Sequence, residues 1–272
     1  MKQKQKTNRY NVRVLDRAIR ILSTLSDGTP RTLTQLSKAI GVSNSTTFRL
    51  LATLSFHNFV QRNQESGSYS LGLACLELAR AYLASSDIRR EALPELEKLR
   101  DETTETVHLV VMDQMEVVYL EKLEGLHAVG LMSSRVGGRA PAHCTGLGKV
   151  LLAYTPVELV RAHYEEKGPE RFSDRTITRL DELLEHLQEV RRQGYAFDLG
   201  EHEPEIRCIA APVRDFSGKV VAAISVSGTA HRMNPVKTNQ ALINKILEAA
   251  RAISARLGYW EQSQNDQEGF SQ

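Results

Sequence analysis

Five side chains of the kinds that bind metals or act as nucleophiles and bases lie in the second half of the chain: His143, Cys144, Asp198, His202 and Cys208. Cys208 with His202 and Asp198 has the residue types of a nucleophile, a base and an orienting acid, and His143 with Cys144 is a second possible pair. Catalytic partners usually come from distant parts of a chain, and no nucleophile elbow, dinucleotide or kinase motif accompanies these residues. We therefore expect no catalytic residues and no enzymatic activity.

The same five residues are also metal-ligand types. Their spacing matches no zinc pattern, and packed cysteines with histidines bonded to loop backbone are the simpler interpretation. We expect no metal and no cofactor, but a metal-responsive protein stays open as an alternative. The chain has three cysteines, which cannot all pair, and a reduced, cytoplasmic setting follows.

A glycine-containing segment, residues 145–149, also has binding chemistry. Thr145 is placed to cap a helix, and Gly146 and Gly148 would let a ligand approach the backbone. Amides at a helix start favour an anion such as a carboxylate. This is not a nucleotide phosphate loop, because His143 stands where glycine is required and Val150 where serine or threonine would hold magnesium.

The charges divide the chain into two parts. The first 72 residues hold eleven basic and three acidic side chains, whereas the rest hold 24 and 30, so a net charge of +2 conceals a basic head and a mildly acidic body. This layout favours nucleic-acid binding at one end. No stretch approaches the roughly 20 apolar residues of a membrane helix, so we expect no membrane partner.

The head has the local signals of a helix-turn-helix. Apolar residues recur at helical spacing from Leu15 through Ile19 to Leu25, predicting a first helix. Thr32 and Gln35 have capping-box spacing at the start of a second helix, and Gly41 fits its left-handed end. Residues 59–62 and 68–71 alternate in polarity around a turn, which predicts a hairpin wing.

The third helix of the head is predicted to read DNA. Ser43 caps it, Leu50 and Leu54 face inward, and Ser45 and Arg49 face outward. Such a face can enter a major groove, where arginine reads guanine. A three-helix module that binds protein is the less favoured alternative. The predicted DNA contacts are Thr32, Ser43, Asn44, Ser45, Thr46, Phe48, Arg49, Thr53 and Arg62.

The chain after the head is predicted to consist of a linker helix and a larger C-terminal domain. A helix over residues 73–84 has apolar side chains on more than one side, so it packs either on a second subunit or in its own core, and both interpretations stay open. The body is predicted to mix helices with an antiparallel sheet. Its expected strands are 107–111, 117–123, 128–132, 208–213 and 220–227, with a long loop at 133–143, helices at about 156–166 and 180–193, and a last helix opening at Asn234-Pro235.

We expect an α+β chain in which an N-terminal winged helix-turn-helix is joined by a linker helix to a GAF-like effector-binding domain. The predicted ranges are a disordered basic tail at 1–9, the DNA-binding domain at 10–72, the linker helix at 73–86, the effector domain at 87–260 and a disordered tail at 261–272.

Seven ordered sequence blocks resemble the IclR-type family of bacterial transcription regulators over residues 14–259. The head block spans 36–51. The body blocks begin at Arg139-Ala140-Pro141, Thr145-Gly146, Arg192-Gln193-Gly194-Tyr195, Glu201-His202, Arg207-Cys208 and Ala222-Ala223. The resemblance implies a winged head, a GAF-like effector domain, and dimers that often pair into tetramers.

The resemblance also implies an effector pocket. Gly146, Leu147, Ser225 and Ser227 suit a carboxylate, whereas side chains such as Met132 suit a short apolar portion. Glu203 and Glu205 lie in the loop ahead of Cys208; we expect both to be solvated, but an inward carboxylate would favour a hydroxylated, larger or cationic ligand. The implied pocket comprises Val129, Met132, Ala140, Gly146, Leu147, Asp198, Ile206, Cys208, Ser225 and Ser227.

The expected protein is therefore a DNA-binding transcriptional regulator, with repression favoured over activation. Its expected partners are a double-stranded DNA operator, a small-molecule effector that is an organic acid, and a second copy of the chain, with pairing of dimers as a further possibility. A purely architectural DNA protein is disfavoured, because coating DNA needs no sensor-sized body.

Overall fold

The computed structural model describes residues 12–85, 87–126, 132–233 and 239–259. Contacts divide the chain into two compact units, Met1–Ser85 and Ser86–Gln272. Both expected disordered tails and most of the predicted strand at 128–132 lie outside the described residues, and Met132 itself is not in a strand. Among the helices described, none has the length and apolar character needed to cross a bilayer.

The N-terminal unit is a winged helix-turn-helix followed by one more helix. Its elements are α1 (Arg13–Leu25), α2 (Leu33–Ile40), α3 (Asn44–Phe56), β1 (Val60–Arg62), β2 (Tyr69–Leu71) and α4 (Leu73–Ser85). β1 and β2 pair antiparallel as the wing. The predicted α2–turn–α3 boundaries are confirmed, because local signals set them: Thr32 and Gln35 form a full capping box, and Gly41 has a φ of 72°.

The core of this unit differs in one respect from the predicted helix face. Ile21 and Leu25 are buried with residues of α2, α3 and the wing. Leu15 and Ile19, expected in the same stripe, are 60% and 61% exposed. The predicted buried face of α1 was therefore partly wrong. The face that packs on α2 and α3 contains Ile21, whereas Leu15 and Ile19 point to the surface.

Helix α4 also shows apolar side chains on its surface. Leu73, Leu76, Leu78 and Tyr82 are all at least 60% exposed. Cys75 is half-buried, and its thiol donates to the backbone oxygen of Phe59 at 3.4 Å.

The C-terminal unit is built on one antiparallel sheet, as predicted for an α+β body. The strand order is β5-β4-β3-β8-β7-β6. Its elements are α5 (Asp87–Thr103), β3 (Thr106–Asp113), β4 (Glu116–Leu123), β5 (Arg139–Pro141), α6 (Gly146–Ala153), α7 (Val157–Lys167), α8 (Leu180–Gln193), β6 (Ala196–Asp198), β7 (Ile206–Arg214), β8 (Val220–Thr229) and α9 (Gln240–Arg256).

Each face of the sheet carries its own buried cluster. Leu109 of β3 and Ile224 of β8 face α5 and α9. Their neighbours Val110 and Ala223 belong to the cluster that contains α6 and α8. Because side chains alternate along a strand, this register fixes which residues of β3, β7 and β8 face α6.

Three predicted boundaries were wrong. The loop predicted over 133–143 contains the short edge strand β5, which pairs with β4. The turn between β3 and β4 is only Gln114 and Met115, both with positive φ, so both strands are longer than predicted. Helix α9 begins at Gln240, where Asn239 accepts a hydrogen bond from the Leu242 amide at 3.1 Å; residues 234–238 lie outside the described part of the chain.

Candidate functional site

The exposed face of α3 displays the predicted DNA-reading residues. The Ser43 hydroxyl accepts a hydrogen bond from the Thr46 amide at 3.4 Å, which fixes the start of the helix. Arg49 is exposed, and its side chain makes no ion pair or hydrogen bond with another residue in the described part of the chain. Its guanidinium is therefore available for a base edge or a phosphate.

The other predicted contacts surround this face. All are exposed except Thr46, which is half-buried and bonded to Ser43. Thr32 uses its hydroxyl in the α2 capping box, so its first role is to position that helix. Arg62, on the wing, stacks over the ring of Tyr69 at 5.8 Å. The remaining exposed positions are Asn44, Ser45, Phe48 and Thr53.

In the C-terminal unit, a small cavity of about 40 Å³ lies between the sheet and the start of α6. Six predicted effector residues meet in its walls: Met132, Leu147, Asp198, Ile206, Cys208 and Ser227. Ala140, Gly146 and Ser225 do not line it, and Val129 lies outside the described residues.

The glycines at the start of α6 allow close packing of that helix against neighbouring backbone and side-chain atoms. A Cβ on Gly148 would lie 2.2 Å from the Cα of Ala142, and one on Gly146 would lie 2.8 Å from the Sγ of Cys208. Both side chains would therefore collide with neighbouring protein atoms. Glycine is therefore needed at both positions for packing, and approach of a ligand to this backbone stays a prediction.

His108 is the main residue that sequence reasoning missed. Its Nε2 lies 2.9 Å from the Ser134 hydroxyl, and its Nδ1 lies 3.2 Å from the Ser225 hydroxyl. Burial lowers the pKa of this imidazole from 6.5 to about 3, so the ring is neutral and has one donor and one acceptor nitrogen. His108 lies opposite Ser225 in the β3–β8 register, a pairing that only the folded sheet reveals.

Other wall residues were not among the predicted effector residues. Each of these residues has a polar side-chain group, and each lies in β4 or in a loop. These residues are Tyr119, Ser133, Ser134, Thr145, His202 and Glu203.

We predict that His108→Gln removes a pH dependence of stability. In the unfolded chain His108 takes up a proton as the pH falls below about 6.5. In the folded protein the buried ring stays neutral until the pH approaches its pKa of about 3. The wild-type free energy of unfolding should therefore fall, relative to the variant, by roughly 1 kcal/mol between about pH 6 and about pH 5. Urea unfolding of both proteins at these pH values measures the difference, and a difference that does not change with pH would contradict it.

The acids at the cavity overturn one expectation. Glu203 was expected to be solvated, but its Oε1 accepts hydrogen bonds from the backbone amide of Ser133 at 3.0 Å and from the Ser133 hydroxyl at 2.5 Å. It lines the cavity, whereas Glu205 is exposed. Glu203 lies at the cavity because the backbone amide and the hydroxyl of Ser133 both donate to it. Ser133 is distant from Glu203 in sequence, so the contact could not be predicted from neighbouring residues.

Asp198 is the second carboxylate of the walls. Its Oδ1 accepts hydrogen bonds from the amides of Gly200 and Glu201 at 2.9 and 2.7 Å, and burial raises its pKa. Among the described residues that line the cavity there are two acids and no lysine or arginine. The walls therefore present acceptors, and a ligand with hydroxyl groups can donate to them.

A buried ion pair supports the same loop from beneath. Lys149 of α6 is fully buried, and its Nζ donates to Oε1 of Glu201. The backbone oxygen of Glu201 accepts from the Thr176 hydroxyl at 2.6 Å. This network holds the segment between Asp198 and Glu203 against α6.

The cysteines are not set up as nucleophiles. Burial raises the pKa of the Cys208 thiol to about 12 and raises that of Cys144 as well, so both stay protonated. His143 is bonded through Nε2 to the backbone oxygen of Glu170 at 2.8 Å. Within the described ranges, no group of three or more His, Cys, Asp or Glu side chains is placed to hold a metal ion.

Comparison with known proteins assigns the two units. Residues 14–64 match the IclR helix-turn-helix domain, and residues 80–255 match the C-terminal domain of the bacterial transcriptional regulator IclR. The chain is 35% identical to the HTH-type transcriptional regulator XynR of Escherichia coli over 91% of this chain and 98% of that protein. It is 30% identical to the E. coli transcriptional repressor IclR over 91% of this chain and 90% of that protein.

A solved structure of a similar protein has the same fold. An IclR homologue from Microbacterium hydrocarbonoxydans, crystallised with 4-hydroxybenzoate, superposes with a TM-score of 0.78 at 29% identity, covering 90% of this chain and 98% of that one. Its fold, and the two domain matches, extend over both units described above. The chain therefore belongs to the IclR family of bacterial transcriptional regulators.

Proposed function

We propose that this regulator is a cytoplasmic repressor whose hold on its operator is controlled by a hydroxylated organic acid bound in the C-terminal cavity. The observation that carries the proposal is the cavity itself, where six side chains that the sequence placed in an effector pocket converge beside a bonded histidine. An effector acts only if it binds the DNA-competent and incompetent states with different affinity. Repression is supported by the relative named as a repressor.

The chemistry of the walls supports a hydroxylated acid over a plain one. Asp198 and Glu203 accept hydrogen bonds, and His108 can donate or accept through either ring nitrogen. A ligand hydroxyl satisfies such groups, whereas a bare carboxylate meets negative charge. The carboxylate end is assigned to the side of Ser225 and Ser227. The homologue crystallised with 4-hydroxybenzoate binds an acid that carries a hydroxyl.

The cavity must enlarge to take such a ligand. Its volume of about 40 Å³ exceeds one water but is far below the roughly 150 Å³ of a cavity that holds benzene. Separation of the Ser133–Glu203 contact would open it, because that contact joins two loops across the cavity wall. We infer that the effector replaces this contact.

Dimerisation belongs to the same proposal. The exposed apolar residues Leu73, Leu76, Leu78 and Tyr82 of α4 suit burial against a second copy, and two α3 helices then reach two half-sites of an imperfect palindrome. Pairing of dimers into tetramers is the further step that the family resemblance implies.

We predict that the double variant Ser225→Ala, Ser227→Ala keeps operator binding and loses the effector response. Ser227 lines the cavity, whereas Ser225 hydrogen-bonds at 3.3 Å to Ser227 and at 3.2 Å to the lining residue His108, so the double variant changes both the proposed carboxylate end and its support. A thermal-shift screen of propionate, lactate, glycerate and gluconate identifies the acid that stabilises the wild type. DNA release by that acid is then measured for the double variant.

Ser217→Ala is the matched control, because Ser217 is an exposed serine in the turn after β7. It should respond like the wild type. Normal release of the double variant would show that the site is misplaced. Stabilisation by propionate equal to that by its hydroxylated analogues would contradict the preference for hydroxyl groups.

A further inference from the structure

A second cleft in the C-terminal unit has the opposite chemistry to the effector cavity. It lies between the end of α6, the end of α8, β7 and α9, and its volume is about 360 Å³, within the range of small-molecule sites. Arg214 and Arg251 line it, and none of the described lining residues is acidic. We call it the arginine cleft.

Arg214 is held in place rather than free in solvent. Its Cζ lies 4.7 Å from the ring centre of Tyr154 and 5.8 Å from that of Tyr259, so the guanidinium is stacked between two aromatic rings. One of its amino groups donates to the backbone oxygen of Gly218 at 2.8 Å. These contacts orient the fork of donors before any ligand arrives.

Positive charge accumulates around this position. Arg191 also lies over the Tyr154 ring, with its Cζ 5.7 Å from the ring centre. Within the described parts of the chain, Arg191, Arg214 and Arg251 form no ion pair with a carboxylate, and Arg251 forms no hydrogen bond. An anion in the cleft would therefore meet two lining cations, Arg214 and Arg251, that have no carboxylate partner among the described residues.

The remaining walls are flat or apolar. Leu247 and Ala250 of α9 and Pro212 of β7 supply apolar surface, and Tyr154 and Tyr259 supply two rings. We propose that the arginine cleft binds an aromatic carboxylate: its carboxylate pairs with Arg251 and Arg214, and its ring packs against the tyrosines and α9. Charge-assisted, forked hydrogen bonds of arginine to a carboxylate are the strongest interactions available here.

Benzoate is the probe, titrated calorimetrically into the full-length protein. Wild-type protein should bind it saturably, with one site per chain in this cleft. Arg251→Gln should weaken binding by about tenfold, because it removes a cation that lines the cleft. Arg191→Gln removes a cation outside the lining and should weaken binding less. Both side chains are exposed, so the variants should fold, and their melting temperatures verify it.

Three controls make the outcome decisive. Arg256→Gln removes a cation from the same helix that is paired instead with Glu91, so it should bind benzoate like the wild type. Benzamide has the same ring without the charge and should bind at least about tenfold more weakly. The Ser225→Ala, Ser227→Ala variant should bind benzoate normally.

Absence of saturable binding would overturn the proposal. So would unchanged affinity in Arg251→Gln, or equal affinity for benzamide. Loss of benzoate binding in the serine variant, with retention in Arg251→Gln, would place the acid in the effector cavity instead.

Discussion

Lys149→Met is expected to lower the free energy of unfolding by ~3–5 kcal/mol, the largest effect of any single change considered for this chain. Lys149 is fully buried, and its Nζ donates to Glu201. Oε2 of Glu201 is already buried without a hydrogen-bond partner among the described residues, so loss of the lysine would leave a buried carboxylate without its charge partner. Urea unfolding measures the change directly.

Two comparisons separate the ion pair from simple packing. The double variant Lys149→Met, Glu201→Met removes both charges and should be more stable than Lys149→Met alone, since apolar replacement of a buried pair is often neutral. Burial raises the pKa of Glu201, so the single variant should also recover stability as the pH falls and the carboxyl becomes neutral. A single variant as stable as the wild type would refute this view of the pair.

Arg49→Ala is expected to weaken specific operator binding by ~1–3 kcal/mol, or about 5- to 150-fold. The Arg49 side chain is exposed on α3 and makes no hydrogen bond or ion pair with another described residue, so the substitution costs little stability. Fluorescence anisotropy with the operator and with an unrelated duplex of equal length gives both affinities. The loss should fall on the operator, because a base contact carries sequence information.

Lys38→Ala is the matched control in the head. Lys38 is exposed in the last turn of α2, and a phosphate contact there would weaken operator and unrelated duplex alike. If Arg49→Ala weakens both duplexes equally, Arg49 contacts the backbone and α3 reads sequence through other residues. Unchanged operator affinity would remove Arg49 from the interface altogether.

What could be predicted from sequence depended on how local the signals are. The capping box of Thr32 and Gln35, and the left-handed Gly41, act within one turn of helix, so the boundaries of α2 and α3 were read correctly. The helix predicted at 180–193 also matches α8, which ends at a left-handed Gly194. The family blocks then supplied six of the cavity residues.

The missed features depend on contacts between distant segments. His108 enters the site because β3 pairs with β8, and nothing near residue 108 signals this. Glu203 turns inward because Ser133, 70 residues earlier, offers two donors. Lys149 did leave a trace, since a lone lysine among the apolar residues of α6 predicts a buried partner, but the partner could not be named before the fold was known.

The most direct test of the account is operator binding with and without effector. Duplexes from upstream of the chain's own gene and its neighbours are titrated at two salt concentrations, alone and with the acid found in the thermal screen. The account predicts tight binding to one of them that weakens steeply with salt and is released by the acid. Equal, weak binding to every duplex, unaffected by the acid, would contradict it.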